Sequence, residues 1–197
     1  MRILLRSTES FCLVVLLMVL MTTTFTEAEV KVHDVDLEYA TISELAKDNH
    51  SVCRLGEKAF LSADRLTTAL RKNDARRHKK RLLKIMETFK QDLEALLKEV
   101  GHVTSQTPKC FSERRQEAIN EWEGELKTLA NELERQIESI EAIQINMISY
   151  IDSYCQSRLE ECYYKPPVDI RLAEVRLLKS LSQVADKFSI IVGEFRK

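Results

Sequence analysis

Apolar residues recur along most of this chain at alternating steps of three and four, the spacing that keeps side chains on one face of an α-helix. Over residues 36–72 the stripe is Ile42, Leu45, Cys53, Phe60, Ala63, Leu66 and Leu70, with Gly56 inside it as a kink or a close helix contact. The stripe stops at Leu70 and resumes out of phase as Leu82, Met86, Phe89, Leu93, Leu96 and Val100. That break predicts a turn near Asn73-Asp74, where a short polar side chain can accept from the free N–H groups that open a helix. Gly101 is expected to close this second helix, because glycine takes the left-handed cap without strain. After Pro108 a third stripe runs through Ile119, Trp122, Leu126, Leu129, Leu133, Ile137, Ile140, Met147, Ile151 and Tyr154, with a series of glutamates mainly off it. Pro166-Pro167 forbids continuation, and Ile170, Leu177, Leu181, Val184, Phe188, Ile191 and Phe195 mark a last amphipathic helix, with Gly193 as a fraying point near its end.

The lengths of these segments do not match. A straight helix over residues 110–163 would be roughly 80 Å long, against about 40 Å for the second and fourth. Four helices in one bundle therefore require the third to bend or break, at Gly124 or within residues 144–146. Connections near 73, 102–109 and 164–168 are short, which makes successive helices antiparallel neighbours. The expected fold is all-α: an antiparallel helical bundle with coiled-coil-like long helices, stapled by disulfides. Composition agrees, since four glycines and three prolines in 197 residues leave few sites for turns or helix ends.

The N-terminus changes the picture by setting a compartment. Arg2 and Arg6 precede an apolar run over residues 11–21, and Thr26-Glu27-Ala28 places small residues at the −3 and −1 positions of a cleavage site. This is the order of a secretory signal peptide, and the run is shorter than the about 20 residues a membrane span needs. Residues 1–28 are thus expected to be removed, leaving residues 29–197 as one helical domain, secreted and with no transmembrane segment. Cys12 departs with the signal. The remaining Cys53, Cys110, Cys155 and Cys162 predict two disulfides in an oxidising compartment. Cys155 and Cys162 can pair only if the helix ends between them, since on one helix they would stand roughly 10.5 Å apart and a disulfide needs about 7 Å or less. Otherwise each crosses to Cys53 or Cys110. Asn49-His50-Ser51 is the one N-glycosylation acceptor, which requires an exposed segment.

The net charge of −1 argues against a nucleic-acid partner. Local charge is more informative. Arg71, Lys72, Arg76, Arg77, Lys79, Lys80, Arg81 and Lys84 crowd the predicted turn, with His78 among them. Positive charge near a helix start opposes the macrodipole, so the cluster carries a small cost. It suits an anionic polysaccharide, a membrane surface or an acidic extracellular protein, and Lys80-Arg81 is also a dibasic cleavage site. Against this stands a plain solvated helix face, partly neutralised by the glutamates of the third helix. No His-Glu-x-x-His, Gly-x-Ser-x-Gly or glycine-rich phosphate loop occurs, and no enzyme activity, metal or cofactor is expected. The sequence therefore points to non-enzymatic binding of an extracellular macromolecule or anionic surface. Its rivals are a carrier holding a small apolar ligand between helices and a self-associating structural oligomer.

Overall fold

The computed structural model describes the backbone of residues 5–109, 111–156, 161–165 and 170–196, and the side chains from residue 37 onward within those ranges. Helix α1 is Leu5–Lys72, α2 is Ala75–Gln106, α3 is Glu113–Tyr150 running on into a π turn at Ile151–Cys155, and α4 is Ile170–Phe195. No strand occurs among the described residues. The chain divides into two compact units, residues 1–43 and residues 44–197. The first, where described, is helical backbone from Leu5; the side chains of the expected signal peptide lie outside the described residues. The second contains the remainder of α1 and the other three helices, packed against one another. Among the described residues no helix is long and apolar enough to cross a membrane.

The helix ends follow from local chemistry, though not always at the residue the sequence suggested. Asp74 leaves the helical region at φ −64° and ψ 117°, and its Oδ1 accepts from the backbone N–H of Arg76 at 2.9 Å and of Arg77 at 3.4 Å. This caps α2 as predicted. Gly101 does not end that helix, for no described glycine has positive φ and α2 continues to Gln106. Proline is the stop instead: Pro108 pushes Thr107 into extended backbone, φ −60° and ψ 120°. Nor does α3 break at Gly124 or at residues 144–146, all of which lie inside it. The length mismatch is reduced by an early exit, because the helix widens to a π turn at residue 151 and leaves helical pairing after Cys155. Gly193 likewise lies within α4. The backbone irregularity falls in α2, at His78, with φ −114° and ψ 15°.

Core packing bears out the second stripe completely: Leu82, Met86, Phe89, Leu93, Leu96 and Val100 are all fully buried. In α3 the same holds for Ile119, Trp122, Leu126, Leu129, Leu133 and Met147, whereas Tyr154 is exposed and Ile143 is buried in place of the half-buried Ile137. On α1 the expected Ile42, Leu45, Ala63 and Leu66 are buried, but at three places the neighbour is buried instead: Val52, Ala59 and Ala69 face inward while Cys53, Phe60 and Leu70 sit half-buried at the margin. Small residues face inward here because α4 approaches closely: a Cβ at Gly56 would collide with the side chain of Leu181. Of the two readings of Gly56, the close helix contact is the one found.

Besides the capping Asp74, the buried polar side chains among the described residues are Ser62, Asp92, Gln136 and Glu174. Asp92 on α2 takes a hydrogen bond from Ser62 Oγ and an ion pair from Lys58 Nζ at 2.9 Å, joining α2 to α1. Gln136 and Glu174 stand on α3 and α4. Burial pushes the Glu174 carboxyl up from its ordinary value of 4.5, and a hydrogen bond from the Thr67 hydroxyl at 3.3 Å pulls the other way. The folded state thus holds this proton more tightly than the unfolded chain does, so this group's contribution to stability falls as pH rises from 4.5 through the folded value. Glu174→Gln is expected to be more stable than the parent at neutral pH and to lose that advantage below about pH 4.5, the unfolded carboxyl range. Urea unfolding at pH 4 and pH 7 checks this, and an advantage of equal size at both values would refute it.

Candidate functional site: a basic end of the bundle

The predicted basic cluster is brought together by the tight α1–α2 connection. Arg71 and Lys72 occupy the last turn of α1, where cations complement the helix dipole, whereas the other six fall in the first turns of α2, where they oppose it. Asp74 stands between the two sets and is buried. Burial is the largest single influence on its carboxyl and raises it, but the backbone N–H groups of Arg76, Arg77 and Cys162 together hold it below its ordinary value of 3.8. Charge is thereby fixed at the N-terminus of α2, where it offsets part of the repulsion.

Arg77 and Lys79 form ion pairs among the described residues. Arg77 Nε lies 3.7 Å from Asp74 Oδ2, and Lys79 Nζ is 2.6 Å from Asp152 Oδ1 in the π turn. Arg71, Lys72, Lys80, Arg81 and Lys84 are exposed and form no ion pair among the described residues. Among the described residues none of these five is paired with a glutamate of α3. Those glutamates engage elsewhere, as in Lys90–Glu141 at 2.6 Å and Lys187–Glu121 at 2.5 Å.

The segment carrying Cys162 completes this end. Its carbonyl accepts from Ala75 N at 2.7 Å, so the first turn of α2 is tied to the chain beyond α3. Cys155 and Cys162 are disulfide-bonded with their Cα atoms 5.8 Å apart, which the exit from helix after Cys155 makes possible. An aromatic group lies beside them. Tyr150 stacks on Tyr154 at 5.0 Å and meets Tyr164 at 5.7 Å, and the buried Tyr164 hydroxyl donates to Ile143 O at 3.4 Å. Tyr163 points outward, and its hydroxyl donates to Glu161, a bond that raises the phenol above its ordinary range. Sequence reasoning missed this tie between the basic turn and the disulfide segment. The i, i+4 spacing of Tyr150 and Tyr154 was the one local sign of it.

The remaining predicted sites fare differently. Cys53, expected in a disulfide, carries a free thiol, half-buried on α1, where burial pushes its pKa up. Cys110 lies outside the described residues. Asn49 is mid-helix and half-buried, and its Oδ1 accepts from Trp122 Nε1 at 3.3 Å. The glycosylation motif thus sits in a packed helix instead of the exposed segment that modification favours.

What these observations define is a class, a bundle of packed α-helices with one strongly basic end. No family model, no curated protein and no solved structure matches the chain.

Proposed function

We propose that this chain is a secreted, non-catalytic bundle of antiparallel helices whose basic end binds a linear polyanion, a sulfated polysaccharide of the cell exterior. The reading is carried by one observation: five exposed cations, Arg71, Lys72, Lys80, Arg81 and Lys84, flank the α1–α2 turn with no ion pair of their own among the described residues. Cations already neutralised inside the fold gain little from a further anion, whereas free ones release bound counterions when a polyanion replaces them. The cations also lie open to solvent, whereas catalysis favours groups converging in a site closed to water. Secretion rests on the signal-like order of residues 1–28.

The antiparallel arrangement is supported by the descending register of pairs between helices. Lys79 meets Asp152, Glu87 meets Gln144 and Lys90 meets Glu141. Likewise Glu121 meets Lys187, and Gln136 meets Ala173. The alternating three-four spacing of the buried positions supports its coiled-coil character.

Retention on an immobilised heparan-type polysaccharide, eluted with a salt gradient, tests the proposal. The wild-type chain is expected to be retained above about 0.15 M ionic strength, where isolated surface charges are largely screened. A variant with Arg71, Lys72, Lys80, Arg81 and Lys84 all replaced by glutamine is expected to bind at least about tenfold more weakly, with a flatter dependence on salt. The chosen positions leave Arg77–Asp74 and Lys79–Asp152 intact, so helix content by circular dichroism should be unchanged. Equal retention of the two proteins, or wild-type passage at low salt, overturns the proposal.

A further inference from the structure

A second feature is built from residues outside the basic cluster. A groove of about 240 Å³ opens between α3 and α4, walled by Phe89, Ile140, Ile143 and Ile170, with Gln136 and Arg176 among its lining residues. The four apolar residues are each 4% exposed or less, so the wall belongs to the core.

Gln136 is 5% exposed, and its hydrogen bonds fix the orientation of its amide. Nε2 donates to Glu132 Oε1 at 2.9 Å and to Ala173 O at 3.3 Å. Both partners are acceptors, so the amide cannot be turned over without opposing oxygen to oxygen. Oε1 is then buried with no hydrogen-bond partner among the described residues. A buried acceptor left unmade is costly, and such an atom marks a place where a donor belongs.

The geometry points to a binding site for a small, neutral, hydroxyl-bearing apolar molecule, an alcohol or phenol of about ten non-hydrogen atoms. Size follows from volume, because an apolar cavity of about 150 Å³ accommodates benzene and this one is larger by about half. A hydroxyl satisfies Gln136 Oε1 as donor and can accept in turn from Arg176, which is exposed and has no ion pair among the described residues. Charge excludes the alternatives. An ammonium would meet the guanidinium groups of Arg135 and Arg176, and a carboxylate would bring no proton to Oε1 and would meet Glu132. Arg135 is already engaged by Glu132, leaving Arg176 as the available donor. This site is independent of the polyanion reading and stands whether or not that reading does.

Titration of the full chain with 2-naphthol, followed by the fluorescence of the probe, tests the inference, with naphthalene as the matched hydrocarbon. The expected result is saturable binding of 2-naphthol at one molecule per chain, at least about tenfold tighter than naphthalene, the factor that one well-made hydrogen bond supplies. Gln136→Leu is expected to bind both probes equally, because it keeps the volume and removes the acceptor. A second variant, Ala173→Leu, fills the groove from the half-buried side of α4 and is expected to abolish binding of both probes. Absence of saturable 2-naphthol binding to the wild type, equal binding of the two probes by it, a hydroxyl preference retained in Gln136→Leu, or unaltered binding by Ala173→Leu would each overturn the assignment.

Discussion

Trp122→Ala is expected to destabilise the folded bundle by about 3–5 kcal/mol, the range for removing a large buried aromatic side chain. Trp122 is fully buried, and its ring meets Phe188 of α4 with centroids 5.5 Å apart and planes at 56°. Its Nε1 donates to Asn49 Oδ1 on α1. One side chain on α3 thus joins three helices, and no single neighbour can close the space it would leave. A domain of this kind has only about 5–15 kcal/mol of net stability, so the variant should unfold at much lower urea or not fold at all at 37 °C. Trp122→Phe separates the two roles, keeping most of the ring packing and losing the hydrogen bond. It should cost about 1–3 kcal/mol, which includes leaving Asn49 Oδ1 without its donor. The measurement is urea unfolding followed by circular dichroism, since the chain's one tryptophan is the residue removed. A loss below about 1 kcal/mol for the alanine variant would show that this position is not the joint described.

Replacing Cys155 and Cys162 together by serine is expected to cost about 2.5 kcal/mol, the chain-entropy value for closing a loop of this length. The loss should also be local. Cys162 O accepts from Ala75 N, so freeing the disulfide segment should loosen the first turn of α2 before the rest of that helix. Amide exchange is expected to accelerate at Ala75 and its neighbours while residues near Leu93 keep their protection. Uniform acceleration along α2 would mean that the bridge acts on the whole fold and not through this contact. Unchanged stability would mean that the loop is held by Tyr164 and its aromatic partners without help from the bridge.

How far the sequence reached can be judged residue by residue. The stripe from Leu82 to Val100 was read correctly because large side chains at three-four spacing have one solution, burial on a common face. On α1 the larger Cys53 and Phe60 fit the spacing in sequence, yet their neighbours Val52 and Ala59 are the buried ones. Small ones face inward there because α4 approaches closely at Gly56, a constraint set by a residue more than a hundred positions away. Gln136 and Glu174 were passed over for a related reason. Each fills a gap in an otherwise apolar series, Leu133 to Ile140 and Ile170 to Leu177, and a polar residue in a gap looks like surface until a facing helix buries it.

The sequence by itself determined that the chain is helical, where the α1–α2 turn falls, that Asn73 or Asp74 caps α2, and which eight cations flank that turn. These are consequences of period, propensity and capping, which act within a few residues. Only the tertiary structure decided that α3 ends early instead of bending, that Cys155 pairs with Cys162 while Cys53 keeps its thiol, and that Gln136 is left with an unmatched acceptor beside an apolar groove. Each of these depends on which atoms from distant parts of the chain meet, and on whether water is shut out when they do.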